Sequence, residues 1–536
     1  MKRILLIALA LPLFAALLFA GGKAEEIKAV EPAVVTVMTW DNDDASYSLL
    51  GEQPMIEYVE DKLNIDIKWR LFSHADRETV VNLMIAAGGE LPDLFPSFAS
   101  ASGRVLAEKG VIIPWSDFME AGKMPLTVAR LNDPKNIGVK NQITDDETGK
   151  IYALPTVRAN PLLIWTDYVR GDWMEKLGLK DPTTPAELRE VLRAFKTKDP
   201  NGNGKADEIP WQNFYEGVTW IKQWSRMFGL PTPDYSLSTV DTLYWAIIKS
   251  EKIVFAPTDE RFKAMLEYLN SLWKEGLINQ DQFNMTSPKF SASISNDTVG
   301  AQNMWPSAIP GQQAALREIA PEGTWHAIPY PVDPRFIQPE DRKFATLGPV
   351  GQQFMISKSG KGTEAAVRLI DYVFGDEEFI FTNEFGIEGV HHEIGADGFP
   401  YYIGEWADMT ETVRKYAMGS MLGRLPHATG SVGQLRKFET DPLFADYKEY
   451  RIKIDPYMKP ATIWKLSEAQ KAIADGALQA IQTYVDEAMT KFIIGTKPFG
   501  EWDEYVKTVN KEAGGKIEAA RQMYQDYFDK YVKAYY

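Results

Sequence analysis

Apolar residues recur along this chain with two alternating periods. Val34–Trp40 is a β-rich run that ends on the polar cluster Asp41-Asn-Asp-Asp44, and Ile65–Arg70 alternates as a second strand. Between them a helical stretch ends near Leu63. After them the helix Asp76–Ala87 leads through Gly88-Gly89 to Leu91-Pro-Asp-Leu-Phe95. Strand, helix, strand, helix in this order predicts an α/β unit with a mostly parallel sheet. The alternation returns after Ile151 and again over Gln353–Gly375. The last third reads as helical: Ile473, Ala477, Ile481, Tyr484, Ala488 and Phe492 share one face, and 499–534 carries further aromatic-rich helical patterns. Pro and Gly are scattered with no dividing linker. A chain of 536 residues exceeds one ordinary core, so it is expected to form two or more domains, and without a clean linker to cross between them more than once.

One local signal is sharper than the rest. Thr184-Pro-Ala-Glu187 is a capping box with proline at the first helical position, and Leu188, Val191, Leu192 and Phe195 follow on one face. The helix runs into residues 199–208, Asp-Pro-Asn-Gly-Asn-Gly-Lys-Ala-Asp-Glu. Asp199, Asn201, Asn203, the carbonyl of Lys205, and Asp207 or Glu208 place oxygens at alternate positions, with Gly204 at the sharp turn. That spacing suits calcium and matches the first nine residues of an EF-hand loop. Position twelve is Pro210 instead of a bidentate glutamate, so Glu208 has to close the shell. A solvated turn has similar composition, but a usable oxygen at every alternate position favours the ion. With one entering helix and none after Pro210, the calcium is expected to be a structural staple and not a sensor.

Composition narrows the function. Lys2-Arg3, the apolar run Ile4–Phe19 and Ala20-Gly-Gly-Lys-Ala24 read as a secretory signal peptide over 1–24. The run is shorter than the roughly 20 apolar residues of a membrane span. The absence of cysteine excludes a lipid-modified N-terminal cysteine, disulfides, thiol catalysis and zinc–thiolate sites. A periplasmic protein is expected. A net charge of −16 disfavours nucleic acid and anionic membranes. No Gly-x-Ser-x-Gly elbow, Walker loop or His-Glu-x-x-His motif is present. A glycosidase needs two carboxylates at a set distance, and 74 acidic residues make any such pair uninformative. His391-His392-Glu393 lacks zincin spacing, and adjacent histidines usually point apart, so hydrogen-bonded histidines near a hinge are expected there.

Six blocks together carry a family resemblance. They are Leu83–Asp93, Gly149-Lys-Ile-Tyr-Ala-Leu-Pro155, Arg170–Leu179 with the capping box and loop after it, Tyr268–Asp281, Phe385-Gly-Ile-Glu-Gly389, and Thr483–Val485 through Lys491–Gly495. In this order the chain resembles the extracellular solute-binding proteins of bacterial ABC importers. It is most similar to the family-1 sugar binders that include calcium-containing alginate-oligosaccharide-binding proteins. The resemblance implies a type II periplasmic-binding-protein fold, α/β, with two hinged lobes that close on a ligand and a helix-rich C-terminal part. It places crossings near 154–160, 328–335 and 390–402. One lobe is then 25–156 plus 333–393, and the other 157–332 plus 394–536. It implies Ca2+ on Asp199, Asn201, Asn203, Lys205, Asp207 and Glu208, since the family's loop also ends in Asp-Glu-Ile-Pro. The partners it implies are an oligosaccharide and the permease of an ABC importer; the receptor would be non-catalytic and is expected to be a monomer.

Fifteen Trp and 23 Tyr agree with sugar, because exposed rings stack on pyranose C–H faces while Asp, Asn and Arg bond hydroxyls. Most of these rings belong to cores. The candidates for ligand contact lie at strand ends or crossings beside polar residues: Trp40, Asp41, Arg158, Asn303, Trp305 and Glu388. The alternatives are a receptor for a peptide or another polar solute, and a secreted glycosidase or lyase.

Overall fold

The computed structural model describes residues 31–533 except 42–53, 74–75, 89, 98–102, 134–135, 146, 158–165, 215–216, 231–243, 295, 305, 343, 347–349, 397, 399, 405–424, 426–444, 455–457, 461–465 and 467. The first core rests on β1 (Ala33–Asp41), β2 (Ile65–Ser73), β3 (Leu94–Pro96), β4 (Ile112–Ile113) and β5 (Leu154–Val157). The chain then builds a second sheet from β6 (Thr166–Arg170), β7 (Gln212–Asn213), β10 (Ala301–Met304) and β11 (Trp325–Ile328), with the separate hairpin β8 (Trp245–Ile247) and β9 (Ile253–Phe255) between β7 and β10 in the chain. After β12 (Phe344–Thr346), β13 (Val350–Ser357) returns to the first sheet.

That return decides the first sheet's character. Its order is β2-β1-β3-β13-β4, with β5 against β13. β1 is parallel to β2 and β3, as the strand–helix alternation predicts, but β13 runs antiparallel to β3, β4 and β5. The sheet is therefore mixed. A strand that re-enters from the other lobe need not share the direction set by local βα connections. Asp93, at the foot of β3, is buried and fully used. Its carboxylate accepts from Thr36 N at 2.7 Å, Thr36 Oγ1 at 2.6 Å and Gly362 N at 2.6 Å. Gly362 starts the helix Thr363–Gly375, and a Cβ there would lie 2.3 Å from the Val34 carbonyl oxygen, so only glycine permits this approach.

Three apolar clusters follow the chain's path; the smallest, including Met38, Phe95, Leu106 and Met355, packs on the first sheet, and two larger cores hold the rest. Val35 to Val157, Ile356 to Ile380 and Leu425 pack in one; Tyr168 to Ile337 and Tyr447 to Phe528 pack in the other. Ile337 thus lies beyond the return crossing read from sequence. Leu425 falls in the 394–536 segment yet packs with the first core. The second core is aromatic, with Trp173, Trp211, Trp220 and Trp224 all fully buried. The helix Pro185–Thr197 has the full Thr184–Glu187 capping box and buries Leu188, Val191, Leu192 and Phe195. The C-terminal pattern forms two helices, Glu468–Gln479 and Gln482–Ile494, interrupted at 480–481; Ile473 is 41% exposed, not on a shared buried face. Helix Glu260–Lys274 packs on the second of these. Asn270 Nδ2 donates to the Phe492 and Ile493 carbonyls at 3.1 and 3.0 Å, satisfying carbonyls the helix end leaves open.

His326 on β11 ties distant segments together. Its Nδ1 meets Asp446 at 2.5 Å, at the start of the helix Ala445–Ile454, and its Nε2 meets Asp181 at 3.1 Å. Donating to the Asp181 carboxylate and then to Asp446 holds the imidazole protonated and raises its pKa to about 10.

Candidate functional site

The loop after Pro185–Thr197 curls as its spacing predicts. Asp199 takes a left-handed φ of 46°, and its Oδ2 accepts from Gly204 N at 3.0 Å. Asn201 Oδ1 accepts from Asn203 N at 3.1 Å, and Asn203 Oδ1 from Lys205 N at 2.7 Å. A carbonyl oxygen has two lone pairs, so each of these keeps one for a cation. Asn203 Nδ2 donates to Asp207 at 3.1 Å. Asp199 Oδ1 and Glu208 Oε1 are buried with no partner among the described residues. Burial, then the neighbouring Asp199 and Asp207 charges, push the Glu208 pKa up. Converging carboxylates with buried, orphaned oxygens are what a divalent cation relieves, so the residues fit calcium. Among the described residues no group of three or more His, Cys, Asp and Glu side chains is arranged to hold a metal. A loop of this type relies instead on two amide oxygens and a backbone carbonyl.

The loop is fastened to the sheet. Asn201 Nδ2 donates to the Asp297 carbonyl at 3.1 Å, and Asp297 pairs with buried Arg170, which Asp172 grips by a second fork. Ile209, just past the loop, bonds the chain at Thr298 and Gly300, and the next residues form β7 beside β10.

At the other end of these strands is a polar row. Across β6, β10 and β7, Asp167 pairs with Asn303 and Asn303 with Asn213, so the three side chains share one sheet face. All three are 0–1% exposed. Asn303 Nδ2 donates to Asp167 Oδ1, which also receives Arg226 Nη2 at 2.8 Å, and the Arg226 guanidinium lies 4.8 Å from the Tyr330 ring centre. Burial pushes the Asp167 pKa up, against Arg226 and then Asn303. Asp167 Oδ2, Asn303 Oδ1 and both amide atoms of Asn213 are buried without a partner among the described residues. Each unmet group costs about 1–3 kcal/mol, so a row of them calls for a polar partner, either ordered water or a ligand. The row lies where β6 begins after the first crossing and where β11 ends before the return.

The sequence candidates divide against this geometry. Asn303 is in the row. Glu388 is exposed in the turn before β14 (His392–Ile394), which pairs with β15 (Pro400–Tyr402), and it bridges to His392. The two histidines are hydrogen-bonded: Ile387 N donates to His391 Nδ1 at 2.8 Å, and His392 Nδ1 meets the Phe385 carbonyl at 3.1 Å. Trp40 and Asp41 have backbone places at the end of β1, but their side chains lie outside the described residues, as do Arg158, Trp305 and the segment 1–24. Sequence reading missed Asp167, Asn213 and Arg226. The available signal was an aspartate opening a strand otherwise built of strand formers, Thr166-Asp-Tyr-Val-Arg170.

Two mixed α/β cores linked by several crossings are the architecture of a two-lobed binding protein. Residues 48–378, more than half of the chain, match the family model of bacterial extracellular solute-binding proteins, and the chain belongs to that family. It is 23% identical over 507 residues to the fructooligosaccharide ABC transporter substrate-binding protein FusA of Streptococcus pneumoniae serotype 4, covering 89% of this chain and 87% of FusA. It is 25% identical to the polygalacturonan/rhamnogalacturonan-binding protein YtcQ of Bacillus subtilis, over 99% of each chain. The crystal structure of alginate-binding protein AlgQ2 without calcium ion superposes with a TM-score of 0.69 at 18% identity, covering 94% of this chain and 99% of that one. Among the described residues no helix is long and apolar enough to cross a membrane.

Proposed function

We propose that this protein is a non-catalytic receptor that captures a neutral oligosaccharide between its lobes and delivers it to the permease of an ABC importer. The observation that carries the reading is the Asp167–Asn303–Asn213 row: buried donors and acceptors with unmet capacity, at the sheet end from which the inter-lobe segments depart. Arg226 is already matched by Asp167, so the row offers neutral hydrogen bonds to hydroxyls, not a spare cation to a uronate. Relatives that bind fructooligosaccharides, polygalacturonan or alginate support a glycan in general. Ligand reaching both lobes favours the closed form and shifts the population toward it. The lobes are assigned as 25–156 plus 333–393 and 157–332 plus 394–536, except that Ile337 packs with the second and Leu425 with the first, and Ca2+ is assigned to the 199–208 loop. Trp40, Asp41, Arg158, Trp305 and Glu388 remain the ring-stacking and polar candidates for ligand contact. Export by the 1–24 leader to the periplasm, as a monomer, completes the reading.

A thermal-shift screen of the leaderless protein with calcium present tests it. Stabilisation by neutral oligosaccharides, with the glycan recovered intact, is expected. Stabilisation by oligouronates alone would refute neutrality. Stabilisation by peptides alone would refute the sugar reading, and released products would move the protein to the enzymes.

A further inference from the structure

Asn-Gly occurs at only two places in the chain, Asn201-Gly202 and Asn203-Gly204, and both are inside the cation loop. A glycine after asparagine leaves the backbone nitrogen unshielded by a Cβ, so it can attack the asparagine side chain more readily than in any other pairing. The two sites differ in their surroundings. Asn201 is half-buried and its Nδ2 is held by the Asp297 carbonyl of another segment at 3.1 Å. Asn203 is exposed, and its side-chain bonds stay within the loop, to Asp207 and from Lys205 N. The Gly204 N–H, the attacking group, points at Asp199 Oδ2 from 3.0 Å.

We propose that Asn203-Gly204 is a deamidation site that bound calcium protects; the protection rests on the calcium reading above. The Gly204 nitrogen attacks Asn203 Cγ. The N–Cγ bond forms, the Cγ–Nδ2 bond breaks, and the glycine proton leaves with the amide as ammonia. One water then opens the five-membered imide at either carbonyl, giving aspartate or isoaspartate at 203, with no redox change. Ring closure requires the Asn203 carbonyl to swing over Gly204 N, whereas an ion on Asn203 Oδ1 and Asp199 holds both in place. The isoaspartyl product adds a methylene to the backbone inside the loop and puts the ligand oxygens out of step. Loss of calcium thereby becomes a lasting covalent change.

The test incubates the purified leaderless protein with excess calcium or with EGTA, followed by peptide mass mapping and an isoaspartyl methylation assay. Calorimetry on fresh protein measures calcium binding independently. In EGTA, Asn203 is expected to convert several-fold faster than with calcium and ahead of Asn201, with calcium capacity falling in step. The variant Asn203→Gln, whose longer side chain closes its ring far more slowly, should abolish the mass change in that peptide. The proposal is overturned if calcium binds without slowing conversion, if Asn201 converts first, or if neither asparagine converts in EGTA. Absence of calcium binding to fresh protein would instead sink the calcium reading, and the protection with it.

Discussion

Each lobe buries an aspartate at the foot of a central strand, and the two are used in opposite ways. Asp93 in the first lobe has three donors, from Thr36 and Gly362, and no orphaned oxygen. Asp167 in the second has one oxygen shared by Arg226 and Asn303, while the other has no partner among the described residues. A saturated buried carboxylate stitches a fold. An unsaturated one beside further orphaned amides reserves capacity for something that arrives later. Burial does not separate them, since both are almost fully enclosed.

The comparison can be broken most directly at Asp93. Asp93→Ala removes three charge-assisted bonds and leaves the Thr36 and Gly362 donors unmet. It should cost about 3 kcal/mol or more of stability in denaturant melts, with glycan affinity of the folded protein unchanged. If affinity fell equally, Asp93 would belong to the site and the contrast would collapse. Calcium comes next. At a hundredfold excess over Kd, an ion that binds only the folded state adds roughly 2.7 kcal/mol, so chelation should lower the melting temperature clearly while affinity at a permissive temperature changes less. An unmoved melting curve would remove calcium from the loop.

Asn213→Leu sharpens the contrast from the other side. It deletes two orphaned polar atoms, so the fold should be as stable as before or slightly more so, while glycan binding loses about 1–3 kcal/mol. Loss of stability with affinity intact would make Asn213 structural. The smallest effect belongs to His326. Its folded pKa is raised to about 10, so its contribution is complete below the ordinary histidine pKa and fades as pH rises toward that value. Its carboxylate partners are partly exposed, so His326→Gln should cost only about 0.5–1 kcal/mol near neutral pH and nothing in strongly alkaline buffer. A cost that stays constant with pH would rule out a charge-based clamp.

Much of this molecule was legible in local pattern. The β1–helix–β2–helix start and the capping box depend on residues within one or two turns of each other, and the structure contains them as read; the 199–208 loop closes on hydrogen bonds to its own asparagines. Asn303 was a candidate from sequence because it sits in a polar, helix-poor stretch, and the structure places it in the row. Its companions were not. Asp167, Asn213 and Arg226 meet Asn303 only through the pairing of β6, β10 and β7 and the docking of a short helical segment, none of which leaves a periodic mark. The break at 480–481, the antiparallel return of β13 and the packing of Leu425 with the first core are likewise tertiary.

Short-range spacing and motif order were enough to read most strands and helices, the oxygen-rich run 199–208 and the family from the chain alone. Tertiary structure alone decided that β13 runs against its neighbours, that Asp93 is saturated, and that Asp167, Asn303 and Asn213 stand unsaturated in one row. Hydrogen-bond satisfaction depends on which groups meet across the fold, and residues far apart in the chain meet only once the sheets have closed.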